Sequence, residues 1–556
     1  MPRPRQPPLR RQRDAGKAGG CPSPAGWVAS SAPSAPTCCG DRMTRPVPRA
    51  AVFGRRRAIV TGHHLASQSA LDTLQAGGSL VDAMISASAV LAVALPHATS
   101  LGGCGMMLYH DAASGTVQAL NGTGRAPGLA SPGVFADGVI GPRGPSTWVA
   151  PGLVRLWDEA HRRHGRLPWA SLLADAVRHA ADGIGCSSEI HRNLRSARPA
   201  VVRQPGFGSL FVPDGRPLAP GDLLRQPALA DTLKRIARDG ADAFYQGPIA
   251  RSLDAFSRAQ GGLLRMDDML AQRAGWAPPV SLSVRDRHIH VMPPNSLGVL
   301  MLAQLDALAP YLDEPEGQRA YAQIQIARLC LETFQRKVAD PAAPWPATLD
   351  PGQVARRLAS VAGGTPSGAR DPGDTAGIVL ADGQGNALAM LQSVFQPFGS
   401  GCVDPETGIL LNNRLIEFDL DPASPNVLGP GKRPVHTLNP YIVMEGGRPA
   451  MLGVSPGGVS QTTTGVQVIA HACFENLPLA QVIDAPRWSI TRGGDILLEP
   501  GFEPGVAQRL REAGVPVEED SLHEFYFGSA KAIRMRHDGT LEAAADLRRQ
   551  ACALAE

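Results

Sequence analysis

The sequence has no apolar run long enough to cross a membrane. Its most apolar stretch, Leu80 to Leu95, has 16 residues and contains Asp82, Ser86 and Ser88. A membrane-spanning helix needs about 20 predominantly apolar residues. We therefore predict that this stretch is a core helix.

Residues 1–50 also lack an apolar run and are rich in Pro, Arg and Ser. They can neither form the apolar core of a signal peptide nor bury a face against a domain. We predict that they are a disordered extension or precede the true start, for which Met43 is a candidate. Because no export signal is visible, we expect a cytoplasmic location; a different start could still supply such a signal.

The nine cysteines include no C-x-x-C pair. Three precede residue 40 and six are scattered, which is the pattern of neither a zinc site nor a disulfide framework and indicates a reducing compartment. Among the 14 histidines, His288 and His290 share one face of a predicted strand, but no third ligand is evident. We predict no metal and no cofactor.

The chain also has little excess of one charge over the other. The formal net charge is +4 in 556 residues, and the basic excess is concentrated in residues 1–57. The remainder is close to neutral, so nothing in the composition calls for nucleic acid. We predict neither a nucleic-acid nor a membrane partner.

Short strand patterns alternate irregularly with helical stretches. Glycine-rich turns predict two hairpins, one across residues 382–386 and one across Gly446 and Gly447. Residues 152–260 are mainly helical in pattern. The chain lacks regular βαβ alternation, so we predict an α/β (α+β) fold with largely antiparallel sheets.

Residues 453–457 match G-x-S-x-G, the nucleophile pattern of many serine hydrolases. In that pattern the backbone N–H after the serine serves the oxyanion hole. Here the residue after Ser455 is Pro456, which has no N–H, and this disfavours a serine nucleophile. Gly457 and Gly458 offer two adjacent N–H groups that suit an oxyanion hole; a plain tight turn is the alternative.

Thr375 lies where a run rich in Gly, Pro and Ser (residues 363–373) meets an apolar strand pattern. It can be an ordinary strand residue, or a nucleophile freed when the chain is cut after Asp374. A free α-amino group has a pKa of about 7.7–8.0, so it can accept the hydroxyl proton of its own residue. An amide nitrogen cannot act as a base, so the second interpretation requires the cut.

Several polar residues lie in Gly- and Pro-rich turns, where a single charge is most often solvated. An arginine there could bind a substrate carboxylate bidentately, and an acidic residue could pair with an amine. The set consists of Arg125, Arg414, Glu417, Lys432, Arg433 and His436.

Six landmarks, in a common order from about residue 58 to residue 547, resemble the γ-glutamyltransferase (glutathione hydrolase) family of N-terminal-nucleophile hydrolases. Each is weak alone, and the shared order carries the resemblance. The landmarks are residues 75–83, 101–107, 242–247 with 261–264, 408–413, 431–434 and 455–458.

The resemblance implies a four-layer αββα sandwich that is made as one precursor. Self-cleavage would give a large subunit, residues 51–374, and a small subunit, residues 375–556, in one composite domain. A homo-oligomer of the processed pair is compatible with it.

The resemblance also implies site residues. Thr375 falls at the family's nucleophile and Ser393 at a hydroxyl near the new amino terminus, with Asp374 and Thr375 on the two sides of the cut. Gly457 and Gly458 fall at the oxyanion hole.

The residues that would bind a glutamyl group are partly replaced. Glutamyl transferases of the family have a second threonine where this chain has Ala376, and an arginine where it has Thr123, two residues before Arg125. The other pocket positions carry Phe395 for an asparagine, Arg414 for a glutamine, a retained acidic residue in Glu417, and His436 and Thr437 for a serine pair. This pattern resembles the acylase-like branch.

We therefore predict a self-processing Thr375 amidase that acts on a small-molecule γ-glutamyl or related acyl amide and passes the acyl group to water or an amine. One alternative is a non-glutamyl amidase similar to cephalosporin acylase or oxamate hydrolase. Another is an uncleaved, non-catalytic binding protein.

Overall fold

The computed structural model describes residues 50–556 except 198, 341–347, 360–372, 459, 492 and 523. The predicted N-terminal extension and nearly all of the loop at 363–373 lie outside the described residues. In the described part of the chain, no helix is both long and apolar enough to span a membrane.

Two antiparallel seven-stranded sheets form the centre of the fold. The first sheet contains, in pairing order, β19 (Cys552–Ala555), β2 (Arg57–Thr61), β10 (Asp374–Asp382), β11 (Ala387–Phe395), β3 (Cys104–Asp111), β4 (Thr116–Gly122) and β7 (Gly275–Ala277). The second sheet contains β1 (Val52–Gly54), β18 (Leu541–Ala545), β17 (Lys531–Met535), β13 (Arg448–Val454), β12 (Tyr441–Glu445), β9 (Arg287–Val291) and β8 (Val280–Val284).

Two small sheets lie outside this centre. They are formed by β14 (Trp488–Ile490), β15 (Ile496–Leu498) and β16 (Val517–Glu518), and by β5 (Ile184–Gly185) and β6 (Leu223–Leu224).

Helices cover the outer face of each large sheet. The first sheet packs against α1 (His64–Gln75), α2 (Leu80–Ala94), α3 (Leu153–His164), α4 (Ala174–Asp182), α8 (Pro227–Asp239), α9 (Asp242–Tyr245), α10 (Pro248–Ala259) and α11 (Met266–Ala271). The second packs against α12 (Val299–Leu308), α13 (Glu316–Phe334), α14 (Pro351–Ala359), α15 (Ser460–Ile469), α16 (Leu479–Asp484) and α17 (Val506–Glu512). The remaining helices are α5 (Ser188–Ser196), α6 (Pro199–Val202), α7 (Phe207–Phe211) and α18 (Glu524–Phe527).

The alternation of side chains along β10 separates the cores of the sandwich. Ile378 and Leu380 belong to the core that the first sheet shares with its helices. Val379 and Ala381 belong to the core between the sheets, which also contains Val454 of the second sheet. This four-layer arrangement of helix, sheet, sheet and helix confirms the predicted αββα fold.

The apolar stretch at residues 80–95 is a core helix, as predicted. Every residue of α2 is buried, and its N-terminus carries a capping box between Ser79 and Asp82. Both predicted hairpins are also present: β10 pairs with β11, and β12 pairs with β13.

Close backbone packing brings the chain near residue 103 against the end of β11. A Cβ placed on Gly103 would lie 2.7 Å from the Ser393 carbonyl oxygen. Real Cβ atoms do not approach a carbonyl so closely, so only glycine allows this contact. The contact matters because Ser393 is one of the predicted site residues.

We predict that Gly103→Ala lowers the thermal midpoint, because its methyl group collides with backbone that cannot move aside. Overpacking of this kind costs about 1–3 kcal/mol. Gly133→Ala is the matched control, since a Cβ at Gly133 has no atom within 4 Å. Equal midpoints for the two variants in thermal unfolding would contradict this account of the contact.

Candidate active site

Thr375 lies at the start of β10, in the interior of the first sheet. Asp374 pairs with Phe395 of β11, but the register shifts by one residue before Ala376. Two residues of β11, Ser393 and Val394, therefore lie opposite the single residue Thr375. This irregularity is a β-bulge. Bulges are common beside active sites because they redirect side chains.

Beside this bulge, the Ser393 hydroxyl contacts the carbonyl group that precedes Thr375. Ser393 Oγ donates to the Asp374 carbonyl oxygen at 2.7 Å and accepts from the Phe395 N–H at 2.8 Å. The hydroxyl is thus fixed with its proton directed at the peptide bond between Asp374 and Thr375.

The Thr375 side chain is buried and contacts the glutamine at the start of α15. Gln461 Nε2 lies 3.5 Å from Thr375 Oγ. The other end of this amide is fixed, because Gln461 Oε1 accepts from the Asn439 N–H at 3.1 Å. The Gln461 backbone N–H donates to the Gly458 carbonyl at 3.2 Å, so one residue links the threonine hydroxyl to the glycine pair.

The glycine pair follows β13, which packs closely on the start of β10. A Cβ on Gly377 would lie 2.6 Å from Val454 Cγ2. Within the described residues, the N–H groups of Gly457 and Gly458 donate to no backbone carbonyl. This is compatible with the oxyanion hole that the sequence predicts for this pair, which stays a prediction. Ser455, the serine of the G-x-S-x-G pattern, is fully buried.

Asp374 is surrounded by buried charged and polar groups. Its Oδ1 accepts from Arg549 Nη1 at 2.6 Å and from the Thr375 N–H at 2.8 Å. Its Oδ2 lies 3.4 Å from His97 Nε2. The same His97 nitrogen lies 3.5 Å from Glu189 Oε1. We call His97, Glu189, Asp374 and Arg549 the Asp374 cluster.

Two titratable groups have shifted pKa values here: Glu189, which belongs to the cluster, and Lys531, which feels its charges. Burial raises the pKa of Glu189, but the hydrogen bond and charge of His97 and the charge of Arg549 outweigh that effect, so the pKa is lowered. Burial lowers the pKa of Lys531 to about 8, although the nearest carboxylates oppose that shift. Lys531 Nζ donates to the Ser529 hydroxyl oxygen at 2.9 Å.

The Asp374 cluster also contains the set of side chains in the described part of the chain that could hold a metal ion. His97, Glu189 and Asp374 each offer one ligand atom, and these atoms lie within 4.8 Å of one another. The Arg549 guanidinium contacts the same carboxylate, however, and its fixed positive charge opposes a divalent cation there.

Among the predicted substrate-binding residues, Arg414 and Phe395 form one unit next to the cut. The Arg414 guanidinium carbon lies 4.2 Å from the centroid of the Phe395 ring. Phe395 is the strand partner of Asp374 and has a positive φ of 85°. Arg414 and Glu417 lie in one short 3-10 turn and are each 1% exposed. The alternative that they are solvated loop charges is therefore wrong.

His436 and Thr437 are buried as well. Burial, and secondarily the charge of Arg414, holds the pKa of His436 well below its usual range. The ring is therefore neutral at neutral pH. Its Nδ1 accepts from the Leu438 N–H at 3.4 Å.

Arg125 contacts residues from two distant segments of the chain. It donates to the Gly431 carbonyl at 2.8 Å and lies 4.0 Å from Asp340, with 37% of its side chain exposed. Thr123, where glutamyl transferases of the family have an arginine, is fully buried and donates to Asn121 Oδ1 at 2.7 Å.

Sequence reasoning did not identify three residues that contact Asp374 or Thr375, and a fourth, Glu189, that contacts one of them; the three are His97, Gln461 and Arg549. Gln461 follows the glycine pair by three positions, and that spacing could have identified it. The other three come from distant segments and carry no local motif.

The overall architecture and the buried threonine at the start of an interior strand are those of an N-terminal-nucleophile hydrolase. The sequence profile named Gamma-glutamyltranspeptidase matches residues 66–555. The chain therefore belongs to the gamma-glutamyltranspeptidase family, and it is an enzyme of the amidohydrolase and acyltransferase type.

Relatives and solved structures support the predicted acylase-like branch. The chain is 35% identical to the oxamate amidohydrolase proenzyme of Klebsiella pneumoniae, across 88% of this chain and 96% of the relative. It is 33% identical to the glutathione hydrolase-like YwrD proenzyme of Bacillus subtilis, across 89% and 98%. The cephalosporin acylase structure from Bacillus halodurans matches with a TM-score of 0.83 and 29% identity, covering 93% of this chain and 99% of the acylase.

We predict that Ser393→Ala slows separation of the chain at residue 374, because the carbonyl oxygen loses its hydroxyl donor. Removing one such donor costs about 100-fold or more in rate. Ser393→Thr keeps the hydroxyl and is the matched control. Denaturing mass spectrometry over time measures the intact fraction. Equal rates for Ser393→Ala and the unmodified chain would exclude this role.

Proposed function

We propose that the protein cuts its own chain between Asp374 and Thr375 and then uses Thr375 as the nucleophile of an amidase. The observation that carries the proposal is the hydrogen bond from Ser393 Oγ to the carbonyl of this peptide bond, at 2.7 Å. The word proenzyme in the names of both relatives supports a precursor that divides into two subunits.

In the first step the Thr375 hydroxyl oxygen attacks the carbonyl carbon of Asp374. The carbonyl oxygen becomes negatively charged, and the Ser393 hydroxyl donates to it. The C–N bond then breaks and the hydroxyl proton ends on nitrogen, which leaves an ester between Asp374 and Thr375. Water opens the ester to give two chains.

After the cut, Thr375 carries a free α-amino group with a pKa of about 7.7–8.0. This amine accepts the hydroxyl proton while the oxygen attacks an amide carbonyl of the substrate. An acyl-enzyme forms and an amine leaves. Water or an acceptor amine then takes the acyl group.

The N–H groups of Gly457 and Gly458 are assigned to the oxyanion of the substrate. Both follow β13, whose end packs against the start of β10. Each donor of an oxyanion hole contributes about 3–4 kcal/mol to stabilising the transition state.

The pocket residues favour a non-glutamyl acyl group that carries its own carboxylate. The Arg414 guanidinium stacks on Phe395 beside the cut and offers a fixed positive charge to a carboxylate, whereas the neutral His436 adds none. The Arg125 position is less suited to this role, because 37% of its side chain is exposed and solvent weakens a charge pair there. The oxamate amidohydrolase name of one relative supports a short acyl group with an adjacent carboxylate.

A γ-glutamyl amide is the second candidate substrate. Glu417 retains the acidic character of the family's glutamyl site and is buried in the same turn as Arg414. A buried carboxylate there could pair with the amino group of a glutamyl substrate.

The subunits of the processed enzyme would be residues up to 374 and residues 375–556. β10 of the small subunit pairs with β2 of the large subunit, so the two share one sheet. We also place the enzyme in the cytoplasm, a reducing compartment, which is supported by the six free cysteines of the described residues.

We predict that purified protein separates into two chains under denaturing conditions, the smaller beginning at Thr375. Mass analysis and N-terminal sequencing measure the division. Thr375→Ala should stay intact and lack amidase activity, because it has no hydroxyl to attack. An intact unmodified chain, or Thr375→Ala with unchanged amide hydrolysis, would support an uncleaved binding protein or another nucleophile instead.

We predict that Arg414→Gln lowers kcat/KM for oxamate by about 10- to 100-fold, since a charge-assisted hydrogen bond contributes about 1.5–3 kcal/mol. Initial rates of ammonia release measure this loss. Turnover of a γ-glutamyl anilide should fall less, because glutamyl enzymes of the family have glutamine at this position.

Arg125→Gln is the control for the oxamate experiment. If Arg125→Gln loses oxamate turnover while Arg414→Gln retains it, the carboxylate site is at Arg125. Robust glutamyl turnover with negligible oxamate turnover in the unmodified enzyme would favour the second candidate substrate.

A further inference from the structure

The Asp374 cluster buries ionisable side chains in the protein interior, where folded proteins rarely place them. His97 is fully buried, Asp374 is 1% exposed and Glu189 is 5% exposed. Burying a carboxylate costs several kcal/mol unless it is paired and hydrogen-bonded. A buried group of this kind therefore needs an explanation, and this one surrounds the residue that precedes the cut.

The members of the cluster form a continuous series of polar contacts that leads from Glu189 through His97 to Asp374. Gln550 N–H donates to Glu189 Oε2 at 3.0 Å, and Glu189 Oε1 lies 3.5 Å from His97 Nε2. His97 in turn lies against Asp374 Oδ2, while Arg549 donates to Asp374 Oδ1. The chain of contacts ends on a single carboxylate and holds it from both sides.

That carboxylate also contacts the nitrogen of the peptide bond that is cut. Asp374 Oδ1 accepts from the Thr375 N–H at 2.8 Å. The Ser393 hydroxyl occupies the oxygen end of the same bond. At one peptide bond, a carboxylate thus accepts a hydrogen bond from the N–H and a hydroxyl donates one to the carbonyl oxygen.

The contact at nitrogen matches what the cutting step requires. As the Thr375 oxygen bonds to the carbonyl carbon, the nitrogen changes from a planar amide to a basic amine and must gain the hydroxyl proton before it leaves. A carboxylate that accepts the N–H hydrogen bond stabilises the positive charge that develops on this nitrogen as it gains the hydroxyl proton.

We propose that the Asp374 side chain promotes cleavage of its own peptide bond, and that His97, Glu189 and Arg549 are positioning residues that hold it at the nitrogen. This inference rests on the proposed self-cleavage. It adds no co-reactant: the hydroxyl proton moves to nitrogen, the C–N bond breaks, the ester forms, and water later opens it.

The test follows cleavage of the full chain after cell-free synthesis, with the intact fraction read by denaturing mass spectrometry. We expect Asp374→Asn, which keeps the shape but loses the charge, to cleave about 100-fold more slowly, the typical size of one lost electrostatic contact to the transition state. Hydroxylamine opens esters, so it reports the first step separately. It should not restore the rate of Asp374→Asn; restoration would place the defect in ester hydrolysis and overturn the proposal.

Arg549 supplies the test of the positioning residues. We expect Arg549→Met to slow cleavage about tenfold or more and Arg549→Lys to recover most of the rate, because a cation again faces the carboxylate. Arg319→Met is the matched control: Arg319 is 7% exposed and pairs with Glu475 at 2.9 Å, in the helix layer of the second sheet. If Arg549→Lys slows cleavage as much as Arg549→Met does, the effect is merely structural and the assignment is overturned. The same holds if Arg319→Met slows cleavage as much as Arg549→Met does.

The outcomes separate this inference from the proposed function. If the unmodified chain never divides after Asp374, the self-cleavage itself is wrong. If it divides and Asp374→Asn divides at the same rate, self-cleavage stands and the role of the carboxylate is excluded.

Discussion

The one-residue shift in the pairing of β10 with β11 is the constraint on which the rest of the site depends. Continuing the register of the rest of the hairpin would place Val394 opposite Asp374. The shift places Phe395 there instead and leaves Ser393 and Val394 together opposite Thr375, where the Ser393 hydroxyl reaches the Asp374 carbonyl. The alternation of the strand then directs Thr375 between the sheets and Asp374 towards the buried charges, so two chemical environments meet at one peptide bond.

The residues proposed to act on the bond and the residues proposed to bind the substrate come from different parts of the fold. Groups that act on the bond come from the first sheet and from the turn after β13. Groups that would bind the acyl chain come from segments outside the two large sheets: Arg414 lies in a short 3-10 turn and stacks on Phe395, and His436 is buried within reach of the charge of Arg414. Irregular segments tolerate substitution better than paired strands do. This explains how a family can keep the bond-cutting residues while the residues around the acyl group differ.

Much of the fold could be predicted from sequence because the information is local. The hairpin between β10 and β11 follows from two apolar strands and a glycine turn, and the apolar stretch from Leu80 to Leu95 forms the buried helix α2. The Asp374 cluster could not be predicted, because its members are far apart in the chain and each looks ordinary alone. The burial of Arg414 was missed for a related reason, since a charged residue in a turn is usually solvated.

β10 lies between β2 and β11, with hydrogen bonds to both, and the C-terminal strand β19 completes the edge beside β2. A bond at the start of such a strand has its reactive surroundings only after strands from both ends of the chain have assembled. The proposed cut at this bond would therefore depend on correct folding. A chain that misfolds, or one truncated before β19, would keep Thr375 in an amide bond, so the proposed amidase activity would not arise before the pocket has formed.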